Sequence, residues 1–319
     1  MQRINRSELV KAAAMLLESG EADRVLGWKK GEFDYDVTPY VFNSIDEIEK
    51  DFVWGDFCGA NFSKYLIKET AKSDKKVAVF LKPCDTYSFN QLLTEHRFER
   101  EKVCVIGVSC SGMADIRKIK DITGEGIAKI EEQDGYLNVF TLYDGIVKID
   151  SKDALAERCL CCTKRCVVYD ELLGDGENKA DNDRFAKVEE LEAMTEEQRY
   201  AFWKSELSKC IRCNACRDVC PACTCEKCVF DDPRSVLENK AAANEFEEKL
   251  YHIIRAFHVA GRCTDCGECS RVCPQNIPLH LLNRKFIKDI NTFYGQYQAG
   301  ETVGQRAPLV DYKADDRDP

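Results

Sequence analysis

Two short cysteine runs carry the residues best suited to chemistry. They are Cys210-Ile-Arg-Cys213-Asn-Ala-Cys216-Arg-Asp-Val-Cys220-Pro221 and Cys263-Thr-Asp-Cys266-Gly-Glu-Cys269-Ser-Arg-Val-Cys273-Pro274. Three thiolates from one such loop can hold three corners of an iron–sulfur cubane, and the fourth ligand must come from elsewhere. The proline that closes each run ends the local turn, because it fixes φ and has no N–H.

The spacing of both runs is C-x2-C-x2-C-x3-C-P. It is typical of two-cluster bacterial ferredoxins, in which the fourth cysteine of each run ligates the other cluster. Paired zinc sites are the alternative, since C-x2-C also suits tetrahedral zinc. Zinc does not require a third cysteine and a fourth before proline, so the pattern favours 4Fe-4S clusters. The rule assigns one cluster to Cys210, Cys213, Cys216 and Cys273, and the other to Cys263, Cys266, Cys269 and Cys220.

Composition limits the function classes. The chain has 319 residues, 44% hydrophobic and 32% charged, which is enough for two folded domains. Its net charge of -10 argues against a general nucleic-acid binder. It lacks a membrane-spanning apolar stretch and the apolar core of a signal peptide. With 19 cysteines and no such signal, we expect a reducing, cytoplasmic location rather than a disulfide framework.

Roughly the first 130 residues predict an α/β domain, in which strands covered on both faces alternate with helices. We expect a helix at residues 8–18, capped by Ser7 and stopped by Gly20, and a second helix within residues 51–69. The predicted strands are residues 24–28, 76–81 and 102–108.

The two central strands each precede a cysteine. Cys84 lies in the loop after the first and Cys110 in the loop after the second, where ligands gather in open α/β sheets. Cys104, inside its strand, is predicted to be a core thiol. A hairpin with its turn at Asp144-Gly145 is expected next. Four closely spaced cysteines follow it, namely Cys159, Cys161, Cys162 and Cys166.

The second half is predicted to be helical between its cysteines. We expect a linker at residues 174–182, a polar helix at 189–209 with a capping box at Thr195 and Gln198, and a helix at 243–259. The charged tail after Pro308 is predicted to be extended.

Most of the chain resembles known redox subunits. Residues 7–175 resemble the beta-subunit family of the coenzyme F-420 hydrogenases and dehydrogenases, which includes formate dehydrogenase beta subunits. Residues 205–300 resemble the dicluster ferredoxin modules fused to such domains, beside heterodisulfide-reductase-like flavoproteins and formate dehydrogenases in anaerobes. The N-terminal resemblance is carried by the first helix with Ala22-Asp-Arg-Val-Leu, the Pro83-Cys84 loop, Ile106-Gly-Val-Ser-Cys110-Ser-Gly112, and Cys159 and Cys162 followed by Tyr169-Asp170 and Gly174.

The resemblance implies an architecture and further clusters. Residues 1–175 would form the α/β domain, 176–204 a linker and helix, 205–295 an α+β dicluster ferredoxin-like domain of mostly helix and loop, and 296–319 an extended tail. A third 4Fe-4S cluster is implied at Cys84, Cys110, Cys159 and Cys162, with Cys161 and Cys166 as alternative ligands.

A further site is predicted at Cys223, Cys225 and Cys228, which are one thiolate short of a cubane. Cys161, Cys166 or a non-cysteine group would complete it, and a zinc site or free thiols are the alternatives.

Members of the family often bind FAD. The family's Gly-Thr-Pro-Cys loop is Leu81-Lys82-Pro83-Cys84 here, and the missing glycine argues against close approach of a flavin phosphate. Gly112 remains a candidate for a flavin site, as do Gly124 and Gly126.

The predicted function is that of an iron–sulfur electron-transfer subunit, with no catalytic residue of its own. It would relay single electrons in an anaerobic formate dehydrogenase, hydrogenase or heterodisulfide-reductase-like complex. Its partners would be other redox subunits, such as a flavoprotein or a formate dehydrogenase or hydrogenase subunit. The alternative is an FAD-containing subunit that itself oxidises or reduces a deazaflavin coenzyme or NAD(P)H.

Overall fold

The computed structural model describes residues 4–176, 183–232, 234 and 245–311, which include all 19 cysteines. They form two compact units. The first takes the described residues up to Thr86 and those from Phe98 to 176, and the second takes Tyr87–Arg97 and the described residues from Asp183 onwards. Inclusion of Tyr87–Arg97 in the second unit is a feature that the sequence did not suggest. No helix in the described ranges is both long and apolar enough to cross a membrane.

The first unit is built on a five-stranded sheet and a separate three-stranded sheet. The strands are β1 (Arg24–Lys30), β2 (Val37–Phe42), β3 (Val77–Leu81), β4 (Val103–Val108), β5 (Ile127–Gln133), β6 (Tyr136–Thr141), β7 (Gly145–Asp150) and β8 (Glu171–Leu173). The order in the larger sheet is β2-β1-β3-β4-β8. Strands β1, β3, β4 and β8 are parallel, while β2 is antiparallel to β1.

Burial of the central strands follows the predicted pattern. Every residue of β3 and β4 is buried, as expected for parallel strands with both faces covered. The edge strand β2 was not predicted. It contains Pro39, which pairs opposite Trp28 and is tolerated because an edge strand leaves one row of N–H groups outside the ladder.

The smaller sheet is an antiparallel meander of β5, β6 and β7. The predicted hairpin exists, but its turn is longer than expected. Thr141 pairs with Gly145, so residues 142–144 form the loop, and Gly145 has φ of 75°. The Leu142 N–H donates to the Gly126 carbonyl at 2.9 Å, which holds Leu142 outside the hairpin ladder.

The helices of the first unit differ from the prediction at two places. Asn5, not Ser7, caps the first helix, because its side chain and Glu8 form a capping box. In place of the single helix expected at 51–69, two short helices, Ile45–Asp51 and Tyr65–Lys72, lie on either side of an irregular segment. The helices are α1 (Arg6–Glu18), α2 (Ile45–Asp51), α3 (Tyr65–Lys72), α4 (Pro83–Thr94, which continues into the second unit), α5 (Ile116–Thr123), α6 (Ser151–Ala154) and α7 (Glu157–Leu160).

The second unit consists of helices and loops. The helices after α4 are α8 (Ala186–Glu192), α9 (Glu196–Ser208), α10 (Ala215–Val219), α11 (Glu245–Val259), α12 (Glu268–Arg271) and α13 (Leu279–Phe293). The described residues of this unit contain no β-strand, so the expected α+β class is found there only as helix and loop.

Several boundaries in the second half change. The single helix expected at 189–209 is two helices, because Thr195 caps α9 through the predicted capping box with Gln198. Helix α11 agrees with the expected 243–259, of which residues 243 and 244 lie outside the described residues. Most of the predicted linker, 177–182, and the end of the tail, 312–319, also lie outside them.

Candidate iron–sulfur centres

The two cysteine runs of the second unit fold into loops of the same local shape. In both, the residues on either side of the second cysteine have a left-handed backbone conformation. Arg212 and Asn214 have φ of 54° and 63°, and Asp265 and Gly267 have φ of 57° and 67°. Left-handed residues turn neighbouring N–H groups to one side, as in the concave backbone sites that hold iron–sulfur clusters. A short helix follows each loop, α10 in one and α12 in the other. The sequence repeat is therefore also a structural repeat.

The last cysteine of the first run lies among the thiols of the second run. Burial raises the pKa of Cys263 and Cys266 above the ordinary value, and negative charge on Cys220 raises both further. Burial also raises the pKa of Cys269 to about 12, and Cys220 contributes in the same direction. These interactions place Cys220 near Cys263, Cys266 and Cys269, and the assignment of the four thiols to one cluster stays a prediction.

The other four thiols are also near one another. Burial raises the pKa of Cys216, and negative charge on Cys273, Cys213 and Cys220 adds to the increase. Cys210 and Cys273 both pack against the apolar cluster that contains Cys216 and Cys269. The fourth cysteine of the second run therefore lies near Cys216 of the first run, as crossed ligation would require.

Burial of the thiols suits a cubane. Tetrahedral zinc with Zn–S bonds of about 2.3 Å needs sulfurs roughly 3.8 Å apart. Within the described ranges, the one group of three potential ligands whose donor atoms lie within 4.8 Å of one another is Cys210, Glu248 and His252, which contains a single cysteine. The iron of a cubane would supply the positive charge that buried thiolates need.

Solvent exposure differs between the two groups. Cys213 is exposed, and its neighbour Ile211 is 61% exposed. None of the four cysteines grouped around Cys220 is exposed. The group around Cys216 thus has one ligand at the surface of the second unit.

In the first unit, parallel strands carry two cysteines to the same edge of the sheet. Strands β3 and β4 pair in register, with Leu81 beside Gly107, and Cys84 and Cys110 follow their carboxyl ends. Cys84 does not lie in a loop as predicted but in the first turn of α4. The reason is Pro83, which suits the first helical position because no N–H is needed there.

A third cysteine reaches this edge through pairing between two distant segments. The Ala156 N–H donates to the Met113 carbonyl at 2.8 Å, and the Met113 N–H donates to Cys159 Sγ at 3.4 Å. These bonds fix Cys159 next to the segment that follows Cys110.

Electrostatic coupling joins four thiols at this edge. Burial raises the pKa of Cys110 to about 12, and negative charge on Cys159 and Cys162 contributes. Burial also raises the pKa of Cys84 well above its ordinary value, with negative charge on Asp85 and then Cys162 adding to it. The four cysteines that the resemblance implies for a third cluster therefore lie near one another.

The two alternative ligands have other surroundings. Cys161 Sγ lies 3.9 Å and 3.8 Å from the carbonyl oxygens of Glu157 and Arg158, in its own helical turn. Cys166 Sγ lies against β4, 3.4 Å from where a Cβ on Gly107 would stand. Burial raises the pKa of Cys166 to about 12, and Asp85 rather than a cysteine is the next cause. These contacts favour the four cysteines Cys84, Cys110, Cys159 and Cys162.

A buried ion pair lies directly beside Cys84. Lys82 and Asp85 are each 1% exposed, and Lys82 Nζ lies 2.7 Å from the Asp85 carboxylate and 2.7 Å from the Ala60 carbonyl. The ammonium also lies 4.8 Å from the ring centroid of Trp28. Burial lowers the pKa of Lys82, but the charge of Asp85, the hydrogen bond to it and the negative charge of nearby thiolates together raise it above the ordinary value.

We expect Lys82→Met to lower the free energy of unfolding by about 3–5 kcal/mol, because Asp85 would stay buried without its cation. Thermal unfolding of the anaerobically purified chain measures the effect. The double variant Lys82→Met with Asp85→Asn should recover most of the loss, since no unpaired charge remains. Equal melting temperatures for the single and double variants would contradict this account.

Cys223, Cys225 and Cys228 follow the last cysteine of the first run. The Cys223 N–H donates to the Cys220 carbonyl at 3.1 Å, while Cys225 is exposed. Arg217 pairs with Asp231 at 2.7 Å, and negative charge on Cys228 adds to the raised pKa of this arginine. A further metal site at Cys223, Cys225 and Cys228 stays a prediction.

A cavity of about 170 Å³ lies beside Cys110. Its described lining contains three carboxylates and no lysine or arginine: Ile4, Trp54, Gly55, Asp56, Ser109, Cys110, Ser111, Gly112, Met113, Glu132 and Asp175. Gly112 has φ of 108°, and an added Cβ would stand 2.7 Å from Leu155 Cδ2. Local packing therefore explains this glycine without a flavin.

One helix face near the clusters was missed in the sequence. Glu248, His252 and Arg255 of α11 are buried, and each has a buried side-chain nitrogen or oxygen without a hydrogen-bond partner. Their spacing of i, i+4 and i+7 places them on one face of a helix. Three polar residues at this spacing, in a chain rich in cysteine, are the signal that could have revealed them.

Comparison with known proteins finds similar iron–sulfur proteins. The sequence model of a 4Fe-4S dicluster domain matches residues 206–277. The beta subunit of the F420-dependent formate dehydrogenase from Methanocaldococcus jannaschii is 25% identical over 333 residues, with 86% of each chain covered. The chain is similar to this beta subunit over most of its length.

A second relative and one solved structure are also similar to this chain. The beta subunit of F420-dependent formate dehydrogenase 1 from Methanococcus maripaludis is 25% identical, covering 67% of this chain and 71% of that one. A solved F420-reducing NiFe hydrogenase complex from Methanosarcina barkeri matches with 17% identity and a TM-score of 0.36, covering 52% of this chain and 64% of that one. The dicluster-domain match and the two formate dehydrogenase relatives support an iron–sulfur electron-transfer subunit of an oxidoreductase, as the cysteine spacing predicted.

Proposed function

We propose that the chain relays single electrons through three 4Fe-4S clusters, two in the second unit and one in the first. The observation that supports the proposal is that thiols of the two runs lie near one another: the charge of Cys220 acts on Cys263, and that of Cys273 acts on Cys216. In the proposed ligation, two of three sets of four thiols exchange their fourth members, Cys220 and Cys273, between the runs. A 4Fe-4S cluster supplies reversible one-electron transfer when bound.

The residues of this chain would hold the clusters and adjust their potentials. Hydrogen bonds to ligand sulfurs and burial are the two means that a protein has for this. The Arg212 N–H donates to Cys210 Sγ at 3.4 Å, and the buried Asn283 amide donates to Cys269 Sγ at 3.8 Å. Both bonds would offset negative charge on the sulfur and favour the reduced state.

The relatives indicate the setting of the relay. They are named as beta subunits of F420-dependent formate dehydrogenases. We therefore assign this chain to a complex with other redox subunits of the formate dehydrogenase or hydrogenase kind. The exposed Cys213 and Ile211 offer a place where electrons can pass to or from such a subunit.

The flavin alternative is less well supported. The cavity beside Cys110 is smaller than the roughly 300–1,000 Å³ of ordinary small-molecule sites. Asp56, Glu132 and Asp175 give its lining negative charge, which would repel the diphosphate of FAD. A chain that lacks flavin acts as a conductor of electrons, and hydride chemistry belongs to its partners.

Flavin and iron content test the proposal directly. After anaerobic purification, we expect about 12 iron atoms per chain, four for each cluster, and no flavin on acid extraction and chromatography. The purified chain should accept electrons from a low-potential chemical donor but not from NADH, NADPH or a reduced deazaflavin. Stoichiometric FAD together with reduction by one of these carriers would overturn the proposal in favour of the flavoenzyme.

A further inference from the structure

Arg255 occupies an unusual position on α11. The side chain is buried, with 4% of the residue exposed. Its Nη2 donates to the Cys216 carbonyl at 2.8 Å, while its Nε is buried and has no hydrogen-bond partner. No carboxylate among the described residues pairs with it.

A buried guanidinium without a carboxylate needs another countercharge, because desolvating an unpaired charge is costly. The negative groups around Arg255 are thiolates. The guanidinium of Arg255 stays protonated in a protein, and the cysteines whose negative charge acts on it supply its countercharge. These cysteines are Cys220, Cys216, Cys223 and Cys269.

The cysteines around Arg255 come from both ligand groups of the second unit. Cys216 belongs to the group that includes Cys213 and Cys273. Cys220 and Cys269 belong to the other group. A cubane held by four thiolates is anionic and becomes more negative on reduction. A fixed positive charge near two such clusters therefore favours the reduced state of both.

We propose that Arg255 is the shared countercharge of the two clusters in the second unit, and that it raises both of their reduction potentials. This inference rests on the two clusters of the proposed function. Arg255 is a positioning and tuning residue, since it touches a ligand's backbone and not a substrate. The arginine stays charged at all working pH values, so its effect on the two reduction potentials does not depend on pH.

The test compares three variants of the full chain, purified anaerobically. Arg255→Met removes the charge and keeps an unbranched apolar side chain. Arg255→Lys keeps the charge. Lys249→Met is the matched control, because Lys249 lies on the same helix but bonds Tyr200 at the surface, 2.7 Å away. Redox titration followed by electron paramagnetic resonance gives the midpoint potential of each cluster.

We expect both potentials to shift to more negative values in Arg255→Met, to shift less in Arg255→Lys, and to stay at the wild-type values in Lys249→Met. If Arg255→Met loses its iron while Arg255→Lys retains both clusters, the need for the charge is supported. Wild-type potentials in an iron-loaded Arg255→Met variant would overturn the inference, as would iron loss from Arg255→Lys. If paramagnetic resonance of the wild type does not show signals from two clusters in the second unit, the proposed function itself is contradicted.

Discussion

Alanine at Cys220 is expected to remove the cluster that belongs to the other cysteine run. Crossed grouping places Cys220 with Cys266, so Cys220→Ala and Cys266→Ala should each lose about four iron atoms and leave the same cluster. Cys213→Ala should also lose about four iron atoms, but it should keep the cluster that Cys220→Ala and Cys266→Ala lose. Paramagnetic resonance of the reduced variants identifies the remaining cluster, because the two differ in surroundings and exposure.

The control for this series is Cys104→Ala. Cys104 is buried in β4, far in sequence from both runs, so the Cys104→Ala variant should keep the iron content of the wild type. Matching spectra from Cys220→Ala and Cys213→Ala would mean that each run holds its own cluster. That outcome would refute the crossed assignment while leaving the presence of two clusters intact.

Replacing Cys84 by alanine is expected to remove roughly a third of the iron and to leave both clusters of the second unit unchanged. The physical reason is that Cys84, Cys110, Cys159 and Cys162 form the coupled group at the carboxyl edge of β3 and β4. Iron analysis and the spectra of the two remaining clusters measure the result.

Two further variants decide between the candidate ligands of this third cluster. Cys161→Ala and Cys166→Ala should keep the iron of the first unit, since the former thiol faces its own helical turn and the latter packs on β4. Unchanged iron in Cys84→Ala, or loss of iron in Cys166→Ala, would require a different ligand set.

The parts of the chain that depend on short-range chemistry were predictable from the sequence. Cysteine spacing predicted the 4Fe-4S dicluster domain, because it reflects how many corners of a cluster a short loop can hold, while the crossed assignment of ligands stays a prediction. The buried strands β3 and β4 were predicted from continuous apolar runs, and Thr195 with Gln198 gave the start of α9. Each of these depends on residues close together in the chain.

Features that depend on distant neighbours were missed. Pro39 argues against a strand until its edge position is known. The group at Cys159 depends on pairing between Met113 and Ala156, 43 positions apart in the numbering. Arg255 is an ordinary helical residue in the sequence, and its role appears only when the thiols around it are known.

Unequal shielding of the two thiol groups in the second unit has a practical consequence. Cys213 is at the surface, whereas the group around Cys220 has no exposed member. Oxygen and chelators reach a surface ligand first, so brief exposure to air would degrade one centre while its near-identical neighbour survives. Partly damaged preparations would then contain a uniform one-centre species rather than a random mixture, and their loss of electron flow would come before any loss of fold.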